Sequence, residues 1–157
     1  MILFLIEKVF LLIGTKAGTK TMLNKNMLLL VIRLSIGTIF TLHGCQKVLG
    51  WFKGPGLSGW LNFMKSMQVP TLLAYASAFF EFLGGIMLIV GFMPEIGALM
   101  TACVMMGAIY LVHLPHGFFI QDGGYEYSLL LLILSLLIVM FGAGQWYIWD
   151  PFINLRI

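Results

Sequence analysis

Charge is scarce in this chain. Of 157 residues six are acidic and nine basic, against 61% hydrophobic residues and a mean hydropathy of +1.01. So little charge excludes a solvated soluble surface, and it excludes a nucleic-acid-binding face, which needs clustered basic side chains. Cysteine is as sparse. Cys45 and Cys103 stand apart, with no CxxC and no CxxCH, which argues against a dithiol redox motif and covalent haem. A glycine-rich nucleotide-binding loop is missing too. What fills the chain is apolar sequence in long runs, the mark of an integral membrane protein. About four helices of roughly 20 residues, plus connectors, use nearly the whole length, so one membrane domain is expected and no separate soluble one.

Four spans are predicted, at residues 27–49, 71–93, 95–114 and 125–141, separated by Gly54-Pro55-Gly56, by Met93-Pro94 and by Gln121-Asp122-Gly123-Gly124. Residues 1–26 read as a peripheral segment, disordered or interfacial, or the product of an upstream start with Met22 or Met27 as alternatives. Residues 151–157 form a tail. In the long first connector Leu57, Trp60, Leu61 and Met64 recur at helical spacing opposite Ser58, Asn62, Lys65 and Ser66, which predicts a short amphipathic helix on the membrane surface. The fold class is therefore an all-α membrane four-helix bundle with one interfacial helix. Lys8, Lys16, Lys20, Lys25 and Arg156 share one side, so both termini are expected in the cytoplasm.

The cysteines fall at different depths of different spans, too far apart for the roughly 4.4–6.8 Å between disulfide-bonded Cα atoms. Both read as packing residues; the alternative is a reactive thiol at Cys45, beside His43 and Lys47. Ser128, Ser135 and Gly142, and the pairs Ala74/Ala78 and Ala98/Ala102, predict closely packed helices.

Ionisable residues at membrane depth mark where function would sit, because lipid offers them no partner. Glu81 lies about 15 Å along span two and Arg33 about 9 Å along span one, counted from opposite faces at 1.5 Å per residue. In a core of about 30 Å this leaves a mismatch of about 6 Å, so a buried Arg33–Glu81 pair is the structural expectation. The functional alternative is a protonatable Glu81 beside a quinone or other small substrate. His43, Lys47, His113, His116, Asp122 and Glu126 all reach the opposite face from the termini. His113, His116 and Glu126 have donor types that suit zinc or copper, but without an established metal spacing; helix-ending interfacial residues are the reading adopted, with no metal site. For Lys47 the plain alternative is a lysine snorkelling to the headgroups.

The string Arg33-x3-Gly37-x2-Phe40-x2-His43-Gly44-x2-Lys47, followed by Glu81-x2-Gly84-Gly85, Gly91, Gly124-x-Glu126 and Gly142-x-Gly144 before Asp150, resembles the DoxX family of small bacterial four-span membrane proteins. The resemblance covers residues 27–150. It implies a four-helix bundle in the bacterial cytoplasmic membrane and a subunit of a quinone-linked oxidoreductase, with a polar pocket opening to the periplasm. Glu81 and His43 become the catalytic candidates, and Arg33, Lys47, Glu126 and His113 the substrate-binding ones. The residues identify no cofactor; for redox chemistry the electron carrier is expected to be a bound quinone or a partner subunit, and the expected partners are membrane lipid and a redox subunit or a second copy of the chain. The alternative is a non-catalytic membrane anchor or assembly factor. A small transporter is a weaker third reading, because one four-span unit carries no internal repeat.

Overall fold

The computed structural model describes residues 19–144 and 146–152, with side chains from residue 25 onward. Five α-helices follow one another: α1 Thr19–Val48, α2 Gly56–Ser66, α3 Thr71–Val90, α4 Pro94–Ala108 and α5 Glu126–Phe141. A π-helical turn, Ile109–His113, and a 3₁₀ turn, Leu114–His116, extend α4, and no strand occurs among the described residues. Three helical stretches, Lys25–Val48, Thr71–Val90 and Pro94–His116, are long and apolar enough to cross a membrane; α5, at 16 residues, is apolar but shorter.

Helix α1 begins eight residues before the span predicted from Met27, running into the segment read as peripheral. Between Thr19 and Val48 stands no proline to interrupt the helix. Residues 1–18 lie outside the described residues. The end of α4 differs as well. Pro115 cannot continue the α-helical hydrogen bonding, and the chain passes through the π and 3₁₀ turns instead.

Helices α1 and α3 pack antiparallel along a seam of small residues. A Cβ on Gly44 would lie 2.4 Å from the Phe82 Cα, and one on Gly85 would lie 2.5 Å from the Thr41 nitrogen. On the other side of α3, a Cβ on Gly84 would meet the Gly97 carbonyl oxygen at 2.9 Å. The adjacent glycines 84 and 85 thus let α3 touch a neighbouring helix on each flank. Helix α5 joins α4 through a buried hydrogen bond between the Thr101 and Ser135 hydroxyls, 3.1 Å. Ala74, Ala78, Ala98, Ala102, Ser128, Ser135 and Gly142 are all buried, as close packing requires.

Two ends result. At the terminal end, where α1 and α4 start and α3 and α5 finish, residues 142–144 and 146–150 fold back across the bundle. Gly91, left-handed at φ 74, accepts hydrogen bonds from the Ile148 and Trp149 amides, and Met93 donates to Trp149. At the opposite end α2 lies against α3. Met64, Val69 and Ala74 form its buried seam, while Ser58, Asn62, Lys65 and Ser66 face outward, as its amphipathic pattern predicts. Between the ends Ile36, Phe40, Leu88, Ala98 and Ile138 are fully buried and form an apolar plug.

Candidate functional site

The contacts of Gly44 with Phe82 and of Thr41 with Gly85 set the register of α1 against α3. That register overturns the Arg33–Glu81 pair. Glu81 lies level with Cys45, twelve residues from Arg33 along α1, a separation of about 18 Å at 1.5 Å per residue. Arg33 is instead level with the end of α3 and is 2% exposed. Its guanidinium donates to the carbonyl oxygens of Ala143, at 3.3 Å, and Trp146, in the segment that folds back. Helix α1 reaches farther past α3 at the terminal end than the predicted boundary allowed, and this is why the depth estimate failed.

Glu81 pairs with Lys47. The Lys47 ammonium donates to the Glu81 carboxylate, the one ion pair among the described residues. The Glu81 side chain is 4% exposed and that of Lys47 18%. The same ammonium lies 4.2 Å from the centroid of the Trp60 ring, a cation–π contact. Trp60 is held in turn by its indole N–H, which donates to the Ala74 carbonyl at 3.1 Å and to the Ser77 hydroxyl at 3.3 Å. The geometry follows from unequal helix ends. Helix α1 stops near the level of Glu81, α3 continues outward for about ten residues to Thr71, and α2 fills the step with Trp60 over the ion pair.

His43 stands one turn before Lys47 but outside this cage. It is exposed and lines a surface cavity of about 280 Å³ with Leu42, Gln46 and Phe52. The other histidines are engaged. His113 Nδ1 donates to the Gly123 carbonyl at 2.8 Å and His116 Nδ1 to that of Val112 at 2.9 Å, so both brace the turn between α4 and α5. Glu126 opens α5, where a carboxylate complements the positive end of the helix dipole, and it forms no ion pair among the described residues. No group of three or more metal-ligating side chains occurs among the described residues. Cys45 is buried and Cys103 exposed, and both are free. Asp150 is buried, and its carboxylate accepts the Phe152 amide at 2.9 Å.

The structure therefore joins Glu81 and Lys47, leaves His43 one turn away, and holds Arg33 at the far end. Neither Trp60, placed only on the apolar face of the predicted interfacial helix, nor Ser77 is among the predicted site residues. For Trp60, its place on that face, four residues before Met64, was the available signal.

An all-helical chain with three membrane-length stretches and a buried carboxylate–ammonium pair is a small multi-span membrane protein. Its family follows from comparison with known proteins. The DoxX family model matches residues 28–114. A protein of Bacillus subtilis (strain 168) described as "Putative oxidoreductase CatD" is 31% identical over 124 residues, which cover 79% of this chain and 85% of that protein. The chain belongs to the DoxX family. No solved structure matches it.

Proposed function

We propose that the protein is a subunit of a quinone-linked membrane oxidoreductase whose four helices, α1, α3, α4 and α5, cross the bacterial cytoplasmic membrane, with the Glu81–Lys47 site opening toward the periplasm. The observation that carries this reading is the caged pair: a carboxylate and an ammonium, almost dry, beneath an aromatic ring that one short helix supplies. The description of the Bacillus subtilis relative as an oxidoreductase supports the reaction class. The family resemblance supplies the quinone.

The site's donors fit a quinone oxygen. Lys47 presents a cation that polarises an acceptor oxygen, and Glu81, once protonated, holds a transferable proton beside it. A quinone bound there would take up two electrons and two protons. The chain has no CxxCH, CxxC or nucleotide-binding loop, so the electrons come from a partner subunit or directly from the substrate. Trp60 keeps bulk water off the pair, which strengthens every charge interaction beneath it.

Glu81→Gln keeps the shape of the site and removes its proton carrier. In membranes containing the native complex, turnover should fall by at least 100-fold while the amount of inserted protein stays within about twofold of wild type. Full turnover in this variant would remove Glu81 from the mechanism. A second reading, a non-catalytic anchor, draws on the same ion pair, since a matched buried pair can serve to specify helix register. Under that reading activity and membrane abundance fall together, in Glu81→Gln and in Lys47→Met alike.

A further inference from the structure

Of the three histidines, His43 alone has no hydrogen bond to the described chain; His113 and His116 each hold a carbonyl. It faces the cavity shared with Leu42, Gln46 and Phe52. The loop that completes this cavity is conformationally costly. Phe52 and Lys53 are consecutive non-glycine residues in the left-handed region, at φ 54 and φ 62. The loop is pressed against α1 as it turns: a Cβ on Gly54 would lie 2.4 Å from the Gln46 carbonyl oxygen. Trp51 donates to the Cys45 carbonyl at 3.3 Å, and the Gln46 amide reaches the Phe52 carbonyl at 3.5 Å. Strained backbone held in this way is a recurrent feature of ligand clamps, and here it sets Phe52 as one wall of a cavity whose only ring donor is a free imidazole.

We propose that this pocket docks the ring of the quinone, with Phe52 and Leu42 as its apolar walls and His43 donating a hydrogen bond to a ring oxygen. The choice of a quinone ring rests on the function proposed above; the pocket itself rests on geometry. A volume of about 280 Å³ lies just under the roughly 300–1,000 Å³ of drug-sized sites, enough for a head group but not for its isoprenoid tail. The open side leaves that tail to the lipid. His43 is then a ring-docking residue one helical turn from Lys47, and the ring enters here before it meets the caged pair.

Trp51 is a built-in reporter, its ring 6.4 Å from that of Phe52 in an edge-to-face arrangement. The full-length protein in mild detergent is titrated with duroquinone, a fully substituted quinone that does not add to thiols, and tryptophan quenching is followed. The expected result is a saturable component, absent in Trp51→Phe, at least tenfold weaker in His43→Ala and Phe52→Ala, and retained in His43→Gln. His43 and Phe52 are exposed, so their variants should fold, which gel filtration checks. Linear quenching that is equal in every variant, a ring dissolving in the micelle, overturns the proposal. Saturable binding that is lost in Glu81→Gln but kept in Phe52→Ala also overturns it, because the ring then docks at the caged pair. Duroquinone binding at the pocket with full turnover in Glu81→Gln would leave this site standing and remove only the catalytic reading of Glu81.

Discussion

Arg33 is a cation whose partners are backbone carbonyls of the returning C-terminal segment. A guanidinium suits this task because its fixed fork of donors serves two oxygens at once, which a lysine ammonium on a flexible stem does less well. Gly91 leaves room for it: a Cβ there would stand 3.1 Å from the guanidinium and 2.8 Å from the Tyr147 Cα. Arg33→Met should release the segment that holds Ala143 and Trp146 and lower stability by about 3 kcal/mol, given about 1.5–3 kcal/mol for each hydrogen bond to a charged group. Thermal unfolding in detergent and limited proteolysis check this, with new cleavage expected near the C-terminus. Arg33→Lys should recover only part of the loss. A variant that melts like wild type and is cut no faster would show that the strap holds without its arginine. At this scale the sequence was half legible. Glu81, Lys47 and His43 stand out in the sequence, since charge in an apolar run is easy to see; that Glu81 belongs at the Lys47 end was not legible. Which cation meets which anion was not legible, because that depends on the sliding register of α1 on α3, set by the approach of Gly44 to Phe82.

Helix contacts in this bundle depend on which glycines face a neighbour. Gly44 sits against the α3 backbone, whereas Gly107, near the end of α4, has nothing within 4 Å of where a Cβ would stand. Gly44→Ala should therefore force the helices apart, with an overpacking cost of about 1–3 kcal/mol, and should shift Lys47 away from Glu81. Gly107→Ala should be neutral or stabilise by up to about 1 kcal/mol, since alanine is the better helix former. Thermal midpoints of the two variants in one detergent decide it; equal midpoints would mean that the α1–α3 seam is looser than the structure shows. Helices α2, α3 and α5 were readable from periodicity and turn residues to within a few positions. The ends of α1 and α4 were not. Polar residues 19–26 mark a change of environment but include no helix breaker, and Pro115 changes the kind of helix without ending the turn.

Polar groups divide between two ends of the molecule, Lys47, Glu81 and Trp60 at one and Arg33 and Asp150 at the other, with the apolar plug of Ile36, Phe40, Leu88, Ala98 and Ile138 between them. A carboxylate above such a plug is reached from one end of the bundle, so the side that α2 occupies decides which compartment would serve the proposed site. Helix α5 decides the span count. Its 16 residues cover about 24 Å, less than the hydrocarbon core of about 30 Å, and crossing would require thinning of the bilayer or help from the polar turns that flank it. Both questions yield to one labelling series. In a chain with Cys45→Ala and Cys103→Ala, single cysteines are placed at Ser58 on α2, at Gln121 between α4 and α5, and at Pro151 after α5, all exposed positions. A membrane-impermeant maleimide applied to spheroplasts should label the first two, and Pro151→Cys only after permeabilisation. If Gln121→Cys and Pro151→Cys label together, α5 does not cross and the molecule has three spans. If Pro151→Cys alone labels from outside, the four spans stand but the caged pair faces the cytoplasm, and the proposed site would draw its protons and substrate from that side.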